Sequence, residues 1–231
     1  MTGVFLQVRL DSERLPNKAL LRLGDKTVIE LAMESLRELE ADVHAILTDR
    51  ESAPALRGLA TSVGFETYVG PKEDVLSRYV GAVRHFGVDT IVRATGDNPL
   101  VSAPLAAMIL EEHARVAAAY SGYDGPPLGT GVEILNAVAL AKADREAGRR
   151  YDREHVSPYL YTHPDRFVVH RIDAPKIYHL PSARVTLDTP EDYALLQAVY
   201  RDLYDGGPIS VLDLIQWLRH NLDHLECRNS A

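Results

Sequence analysis

Residues 3–18 read GVFLQVRLDSERLPNK, an apolar run that gives way to a loop rich in charge. The run from Gly3 to Val8 is short and apolar, which is typical of a buried central strand in a parallel sheet. Helical periodicity begins only at Thr27, so residues 10–26 are predicted to form a long connection. Long connections inside compact domains are uncommon and are often functional. This one follows the carboxyl end of a strand, where open α/β sheets bind their ligands.

Positive charge is concentrated in this connection. Between residues 9 and 26, five basic residues face three acids, whereas the whole chain carries a net charge of −8. An anion is therefore the expected ligand, and the loop is short enough to wrap a polyphosphate. The alternative is a solvated loop whose charges pair with one another. The basic residues are Arg9, Arg14, Lys18, Arg22 and Lys26.

Length and composition narrow the class of protein. At 231 residues the chain can form one large α/β domain, or one domain with a small appendage. The net charge of −8 argues against nucleic-acid polymers and anionic membranes as partners. Cys227 is the only cysteine, which excludes an internal disulfide or a thiolate metal site. With no secretion signal and no span of about 18 apolar residues, the expected location is cytoplasmic.

Strand and helix patterns alternate along the first half of the chain. Each predicted strand is followed by a helix with a capping residue at its start. Such repeated units predict a mostly parallel sheet with helices on both faces. The strands are predicted at 3–8, 43–47, 65–69 and 90–94. The capping residues are Thr27, Ser52, Asp74 and Ser102.

The second half of the chain is less regular. Residues 122–131 are rich in glycine and proline, which predicts a turn or a mobile loop. Thr189 and the proline after it are a clear helix start. The remaining strands are predicted at 132–135, 166–172 and 184–187. The remaining helices are predicted at 137–147 and 153–162.

Two aspartates, Asp97 and Asp188, each follow a predicted strand and precede a helix start. Both are expected at the carboxyl edge of the sheet, and if their strands are neighbours the two carboxylates converge near the basic loop. Two carboxylates facing a polyphosphate suit Mg²⁺, which takes few protein ligands and shares phosphate oxygens. The alternative is that each aspartate only caps a helix or a turn.

The motifs together resemble the CMP-sugar synthetases, which include the CMP-ketodeoxyoctonate synthetases and the acylneuraminate cytidylyltransferases. In order and spacing they are similar to the spore-coat polysaccharide branch of the cytidylyltransferases. The likeness extends from residue 3 to about residue 200. It is carried by residues 6–9 with Ser12 and 14–18, then by 73–79, 91–100, 132–133, 152–159 and 185–192.

The resemblance implies a fold, a reaction and an assembly. The expected fold is α/β, a Rossmann-like nucleotide-diphosphosugar-transferase sandwich of three layers around a mixed, mostly parallel sheet. Residues 1–231 would form a single domain, of which about 120–180 would bind the sugar and form the subunit contact. The implied reaction couples CTP to a sugar or sugar acid with Mg²⁺ as cofactor, in a homodimer.

The resemblance also implies roles for particular residues. Arg9 and Lys18 would act in catalysis, and Asp97 and Asp188 would bind the metal. Nucleotide contacts are implied for Gln7, Ser12, Arg14, Asp49, Ser77 and Arg78. Acceptor or interface contacts are implied for Glu133, Arg153, Glu154 and His155.

Three positions depart from the family pattern. The family usually has glycine where this chain has Asp11 and Asn17, and glycine allows the backbone to approach a phosphate closely. An acid at position 11 would repel phosphate unless it points outward. The family's aspartate before Val-Glu is Gly131 here, which bears on sugar identity. A non-catalytic nucleotide-binding homologue and a metal-dependent glycosyltransferase of similar fold are the alternative interpretations.

Overall fold

The computed structural model describes residues 1–229, with side chains for residues 1–221, so the Cys227 side chain lies outside the described part. No helix among the described residues is long and apolar enough to span a membrane. The strands are β1 Thr2–Gln7, β2 Arg22–Leu23, β3 Lys26–Thr27, β4 Val43–Thr48, β5 Glu66–Val69, β6 Thr90–Thr95, β7 Tyr120–Asp124, β8 Glu133–Asn136 and β9 Val169–Asp173. The helices are α1 Val28–Arg37, α2 Ala53–Ser62, α3 Val75–Phe86, α4 Ala103–Val116, α5 Ala137–Glu146, α6 Arg150–His155, α7 Pro158–Tyr161, α8 Pro190–Leu203 and α9 Val211–Asn229.

The main sheet has seven strands in the order β5-β4-β1-β6-β8-β7-β9. The strands β5, β4, β1 and β6 are parallel neighbours, whereas β8 pairs antiparallel with both β6 and β7. This mixed, mostly parallel sheet confirms the expected fold class. Since the chain leaves β1 towards β4 and later returns to β6 on the other side, the crevice between β1 and β6 is the switch point where such sheets bind ligands.

Alternation along the central strands divides the core into two layers. Val4, Leu6 and Val92 belong to the buried cluster that includes residues of α1, α2 and α4. Phe5 and Ile91 point to the opposite face, into a cluster with residues of α3, α5 and α7. A period of two along a strand sends successive side chains to opposite faces, so a sheet covered on both faces must be apolar throughout. This explains the continuous apolar run of β1.

A third apolar cluster lies beside the sheet and is formed mainly by the last two helices. Leu196 of α8 and Leu214 and Leu218 of α9 pack there with Leu187 and with Val28 at the start of α1. These residues are less than one-tenth exposed. The C-terminal helices therefore anchor the segment that leads to Asp188.

The predicted helix starts are correct at the positions with capping side chains. The Thr27 hydroxyl accepts from the Glu30 amide, and Glu30 reaches back to the Thr27 amide, which is a capping box. Asp74 caps α3 by accepting from the Ser77 amide at 3.0 Å. Thr189 starts α8 with its own capping box.

Three elements of the second half differ from the sequence prediction. Gly122 lies inside β7 rather than in a loop, since this segment pairs with β8 and β9. The helix predicted over 153–162 is two short helices, because Val156 adopts a φ of 72° between them. Residues 184–187 form no strand. The Val185 amide donates to Leu128 and the Leu187 amide donates to Asp97, so the segment pairs with no single strand, and it forms only one isolated bridge, at Arg184.

Candidate active site

The segment of residues 8–18, which we call the cationic loop, is folded back on itself at the end of β1. The Asn17 amide donates to the Leu10 carbonyl at 3.1 Å, and the Leu10 amide donates to the Ser52 hydroxyl at 3.1 Å. Asn17 has a φ of 55°, in the left-handed region that glycine and asparagine adopt most readily. Asparagine in place of glycine is therefore compatible with the backbone of this loop.

The cationic loop ends at Lys18, which joins the two aspartates. Its ammonium nitrogen lies 2.5 Å from Asp97 Oδ2 and 2.8 Å from Asp188 Oδ1. The two carboxylate oxygens are therefore separated by no more than the sum of those distances. The Leu187 amide donates to the Asp97 carbonyl at 3.0 Å, which positions Asp188 although residues 184–187 form no strand. The expected convergence of the two acids with the basic loop is confirmed.

Asp188 is surrounded by three basic side chains. Burial raises the pKa of this carboxyl, but the hydrogen bond from Lys18 and the charges of Arg14 and Arg184 outweigh that effect and lower the pKa. Arg14 lies 3.2 Å from Asp188, while most of the Arg14 side chain is exposed. Asp188 is therefore ionised at neutral pH, and Arg14 remains accessible to a ligand.

Arg9 lies at the start of the cationic loop and connects it to α6. Its guanidinium is 3.5 Å from Asp11 and 3.9 Å from Glu154. Glu154 therefore faces the loop across the crevice, as a residue contacting an acceptor would. The neighbouring His155 is exposed and lies against Tyr151, with ring centroids 4.4 Å apart. The acceptor or interface contacts implied for Glu154 and His155 remain predictions.

Asp49 and Arg78 are buried beneath the site, at 1% and 2% exposure, although the resemblance implies that they contact the nucleotide. Asp49 accepts from the amide and hydroxyl of Ser52, the same hydroxyl that receives the Leu10 amide. Burial raises the pKa of Asp49, but the Ser52 hydrogen bonds and the Arg78 charge lower it overall. These contacts favour a positioning role, and direct nucleotide contact stays a prediction.

Arg153 binds two acids within the protein. Its guanidinium contacts Asp74 at 2.5 Å and Asp144 at 2.7 Å, and it also donates to the Asp144 carbonyl at 2.6 Å. It therefore ties α6 to the start of α3 and to α5. Ser77, in the first turn of α3, is half-buried and close to this contact through Asp74. The implied binding of a sugar carboxylate by Arg153 stays a prediction, and its observed contacts are structural.

Glu133 belongs to a polar network on the α3 face of the sheet. Its carboxylate accepts from Arg93, from the Tyr120 hydroxyl at 3.0 Å and from the Ser157 hydroxyl at 2.6 Å. Burial first, and then the Glu133 charge, raises the pKa of Tyr120, which keeps that hydroxyl protonated as a donor. The sequence pattern assigned no role to Arg93, although a charged residue inside an apolar strand indicates a buried polar network.

Two buried polar atoms near this network have no partner among the described residues. They are Gln7 Oε1 and Arg93 Nε. Gln7 and Arg93 lie on the same face of neighbouring strands, since Arg93 pairs in register with Phe5, two residues before Gln7. Buried polar atoms are normally hydrogen-bonded, and an exception near a crevice indicates a ligand or water position. Gln7 therefore remains a candidate contact for a substrate.

The donor set suits a magnesium ion that shares its ligands with a phosphate. Among the described residues there is no group of three or more acidic, histidine or cysteine side chains able to hold a metal. Asp97 and Asp188 instead offer two partly exposed carboxylates at the crevice. Mg²⁺ is typically held by one or two carboxylates and by substrate phosphates, so this pair fits the ion.

Comparisons of sequence give one consistent result. The profile of the family described as Cytidylyltransferase matches residues 4–209. An uncharacterized protein of Methanocaldococcus jannaschii is 33% identical over 218 residues, covering 94% of this chain and 89% of its own. The spore coat polysaccharide biosynthesis protein SpsF of Bacillus subtilis is 31% identical over 225 residues, covering 94% of each chain.

Solved structures share the fold. A cytidylyltransferase from Leptospira borgpetersenii superposes with a TM-score of 0.88 at 26% identity, covering 96% of this chain and 95% of that one. A CMP:2-keto-3-deoxy-manno-octonic acid synthetase complexed with CTP superposes with a TM-score of 0.65 at 12% identity, covering 87% of this chain and 98% of that one. At that identity the second likeness concerns the fold alone.

Proposed function

The chain belongs to the cytidylyltransferase family and is a nucleotidyltransferase, and on that premise we propose that it couples CTP to a sugar or sugar acid and releases pyrophosphate. The product would be a CMP-sugar. The name of the Bacillus subtilis relative supports a surface polysaccharide as the destination of that sugar. The reaction would take place in the cytoplasm.

The observation that carries the proposal is the position of Lys18 between Asp97 and Asp188, at 2.5 and 2.8 Å. It brings the end of the cationic loop to the two acids for which the resemblance implies metal binding. A triphosphate needs cations along its length and a metal at the reacting phosphate. The cationic loop would supply the cations, and Asp97 with Asp188 would supply the carboxylates for a metal.

The basic residues would bind the triphosphate and stabilise its negative charge. The acceptor oxygen would attack the α-phosphorus in line, and the bond to the bridging oxygen of the leaving pyrophosphate would break. Arg9 and Lys18 would stabilise the charge that develops on the α-phosphate. Arg14, which is mostly exposed beside Asp188, would hold the pyrophosphate. Catalysis of this kind depends on positioning and charge stabilisation rather than on a covalent intermediate.

Asp97 and Asp188 would hold Mg²⁺. When bound, the ion would neutralise phosphate charge and lower the pKa of the acceptor hydroxyl. The Lys18 ammonium lies between these carboxylates, so it would move towards the phosphates when they take up a metal. Lys18 thus has a second anion, the triphosphate, to bind.

The acceptor would bind on the α3 face of the crevice. The unpartnered Gln7 and Arg93 atoms, the Glu133 carboxylate and the nearby Glu154 provide donors and acceptors for sugar hydroxyls. His155 would add a contact from the exposed end of α6. Sugar recognition by several oriented hydrogen bonds is consistent with this polar lining.

We also propose a homodimer that uses the α6 region. Tyr151 is 57% exposed and lies against His155, and tyrosines are enriched in protein interfaces. Val138 on α5 and Val168 before β9 are large apolar residues that are also exposed, at 78% and 57%. Light scattering at micromolar concentration tests the assembly, and a monomer would contradict it.

The test of the reaction is pyrophosphate release from CTP with Mg²⁺ and a panel of acceptors. The panel would contain neutral sugars and sugar acids, and UTP and ATP would replace CTP in parallel assays. We expect release that depends on CTP and on one class of acceptor. Arg84→Ala, which removes an exposed arginine in the last turn of α3, at the opposite end of that helix from Asp74, is a matched control with unchanged activity.

Two outcomes would contradict the proposal. Transfer from a nucleotide-diphosphate sugar with no use of CTP would favour the glycosyltransferase alternative. Tight binding of CTP with no turnover on any acceptor, together with an intact fold, would favour a non-catalytic nucleotide-binding protein. Product analysis by mass spectrometry distinguishes these outcomes from CMP-sugar formation.

A further inference from the structure

Asp11 is an acid in the middle of the cationic loop. It lies between Arg9 and Arg14, one residue from Ser12, where the proposed function places the triphosphate. An unpaired carboxylate at this point would repel a polyphosphate through the same electrostatics by which the arginines attract it. The loop therefore needs some means of keeping this charge away from its ligand.

Lys72, from the loop after β5, supplies the pairing charge. Its ammonium nitrogen lies 2.8 Å from Asp11 Oδ2, while Arg9 Nε is 3.5 Å from Asp11 Oδ1. Both carboxylate oxygens of Asp11 are thus directed at cations of the protein. The hydrogen bond that Lys72 donates to the Asp11 carboxylate also raises the pKa of Lys72.

The backbone of Lys72 is fixed from below. The buried side chain of Arg78 donates to the Pro71 carbonyl at 2.9 Å and to the Lys72 carbonyl at 2.8 Å. The opposite end of the pair is fixed by the contact of the Leu10 amide with Ser52. Lys72 and Asp11 therefore meet from two anchored loops, which follow β5 and β1.

An exposed ion pair contributes little to stability, so stability does not account for this arrangement. The pair is instead expected to affect the binding of the ligand, which carries several negative charges beside the cationic loop. We propose that Lys72 is a positioning residue of the nucleotide site, which holds the Asp11 carboxylate away from the phosphates. This inference rests on the proposed function, since it presupposes that a triphosphate binds the cationic loop.

The test is a four-protein comparison of binding without catalysis. Wild type, Lys72→Ala, Asp11→Asn and the double variant are titrated by calorimetry with CTP and Mg²⁺, and separately with inorganic triphosphate, at about 50 mM salt. We expect Lys72→Ala to raise the dissociation constant for either ligand about tenfold, because Asp11 is then free to turn towards the phosphates. In the Asp11→Asn background, the same lysine substitution should change it by about twofold or less. Lys72→Arg should restore binding.

A different pattern overturns the inference. If Lys72→Ala weakens binding equally in both backgrounds, Lys72 acts on the ligand by itself and not through Asp11. If it weakens binding in neither, the pair has no role at the site. Lys176→Ala, which also removes one exposed positive charge, should leave binding unchanged, and melting temperatures should agree among all variants. Failure of the unaltered chain to bind CTP or triphosphate would overturn the proposed function itself, and this inference with it.

Discussion

The ammonium of Lys18 donates to the carboxylate of Asp97 at 2.5 Å, although 79 residues separate them in the chain. The same nitrogen reaches Asp188. A protein cation thus lies where the proposed metal would neutralise two acids. Lysine and Mg²⁺ must compete for these oxygens unless a polyphosphate offers the lysine another partner.

A first prediction concerns this competition. Lys18→Gln is expected to increase the affinity for free Mg²⁺ roughly tenfold, because the two carboxylates lose the cation that lies between them. Calorimetric titration with MgCl₂ in the absence of nucleotide measures the change. Lys176→Gln is the control. Equal affinity in wild type and Lys18→Gln would exclude competition at this pair.

A second prediction concerns the rate. Arg9→Ala and Lys18→Ala should each lower kcat by ~10²-fold or more, since both cations are proposed to stabilise charge in the transition state. Initial rates of pyrophosphate release measure this effect under saturating CTP and acceptor. Near-normal turnover in both variants would remove these residues from the catalytic step.

A third prediction concerns the paired acids. Asp97→Asn and Asp188→Asn should abolish Mg²⁺-dependent turnover and leave the fold intact, because both side chains lie at an open edge of the sheet. Circular dichroism and the turnover assay are compared with those of Asp165→Asn, which changes an exposed acid elsewhere. Activity retained in either site variant would exclude a shared metal.

A fourth prediction separates two residues of α6. Arg153→Ala should lower the free energy of unfolding by about 1–3 kcal/mol, because it leaves Asp74 and Asp144 without their shared cation. His155→Ala should leave stability unchanged and raise the KM for the acceptor. Urea unfolding and steady-state kinetics measure the two effects. If Arg153→Ala alters only the acceptor KM, its contacts with the two acids are not structural.

A fifth prediction concerns pH. Burial, and secondarily the charge of His170, lowers the pKa of His113 from 6.5 to about 4. Between these values the unfolded chain binds more protons than the folded one, so the contribution of His113 to stability falls as pH drops through 6.5 and levels off below about 4. The loss is about 3 kcal/mol. The variant His113→Gln should lose less stability than the wild type over this pH range.

The measurement for this prediction is the free energy of unfolding in urea at several pH values between 7 and 4. The Ser121 hydroxyl lies 2.8 Å from the His113 ring, so the variant is expected to be less stable at pH 7. The difference from wild type should shrink as the pH falls. A constant difference over that range would show that His113 does not titrate in this way.

Sequence patterns were sufficient to predict those helix starts and strands that depend only on neighbouring residues. The capping residues Thr27 and Asp74 and the apolar run of β1 depend on neighbouring residues only, and their prediction was correct. The convergence of Asp97 with Asp188 was also predicted, but from two neighbouring strands. Residues 184–187 form no strand, and Asp188 is positioned instead by the Leu187 amide, which donates to the Asp97 carbonyl.

Contacts between distant segments could not be predicted in the same way. The network of Arg93 with Glu133 depends on β8 pairing antiparallel with β6 in a particular register. The contact of Lys72 with Asp11 depends on how close the loop after β5 lies to the loop after β1. The strand expected at 184–187 is absent because neighbouring segments take up its amides, which no local periodicity reports.

The two acids of the site are held by different structural units of the protein. Asp97 follows a central strand of the sheet, whereas Asp188 follows Leu187, which packs with Leu196 and Leu218 of the C-terminal helices. Local opening of one unit can proceed without the other. Detachment of the C-terminal helices would therefore separate Asp188 from Asp97 and take the site apart while the central strands stay paired.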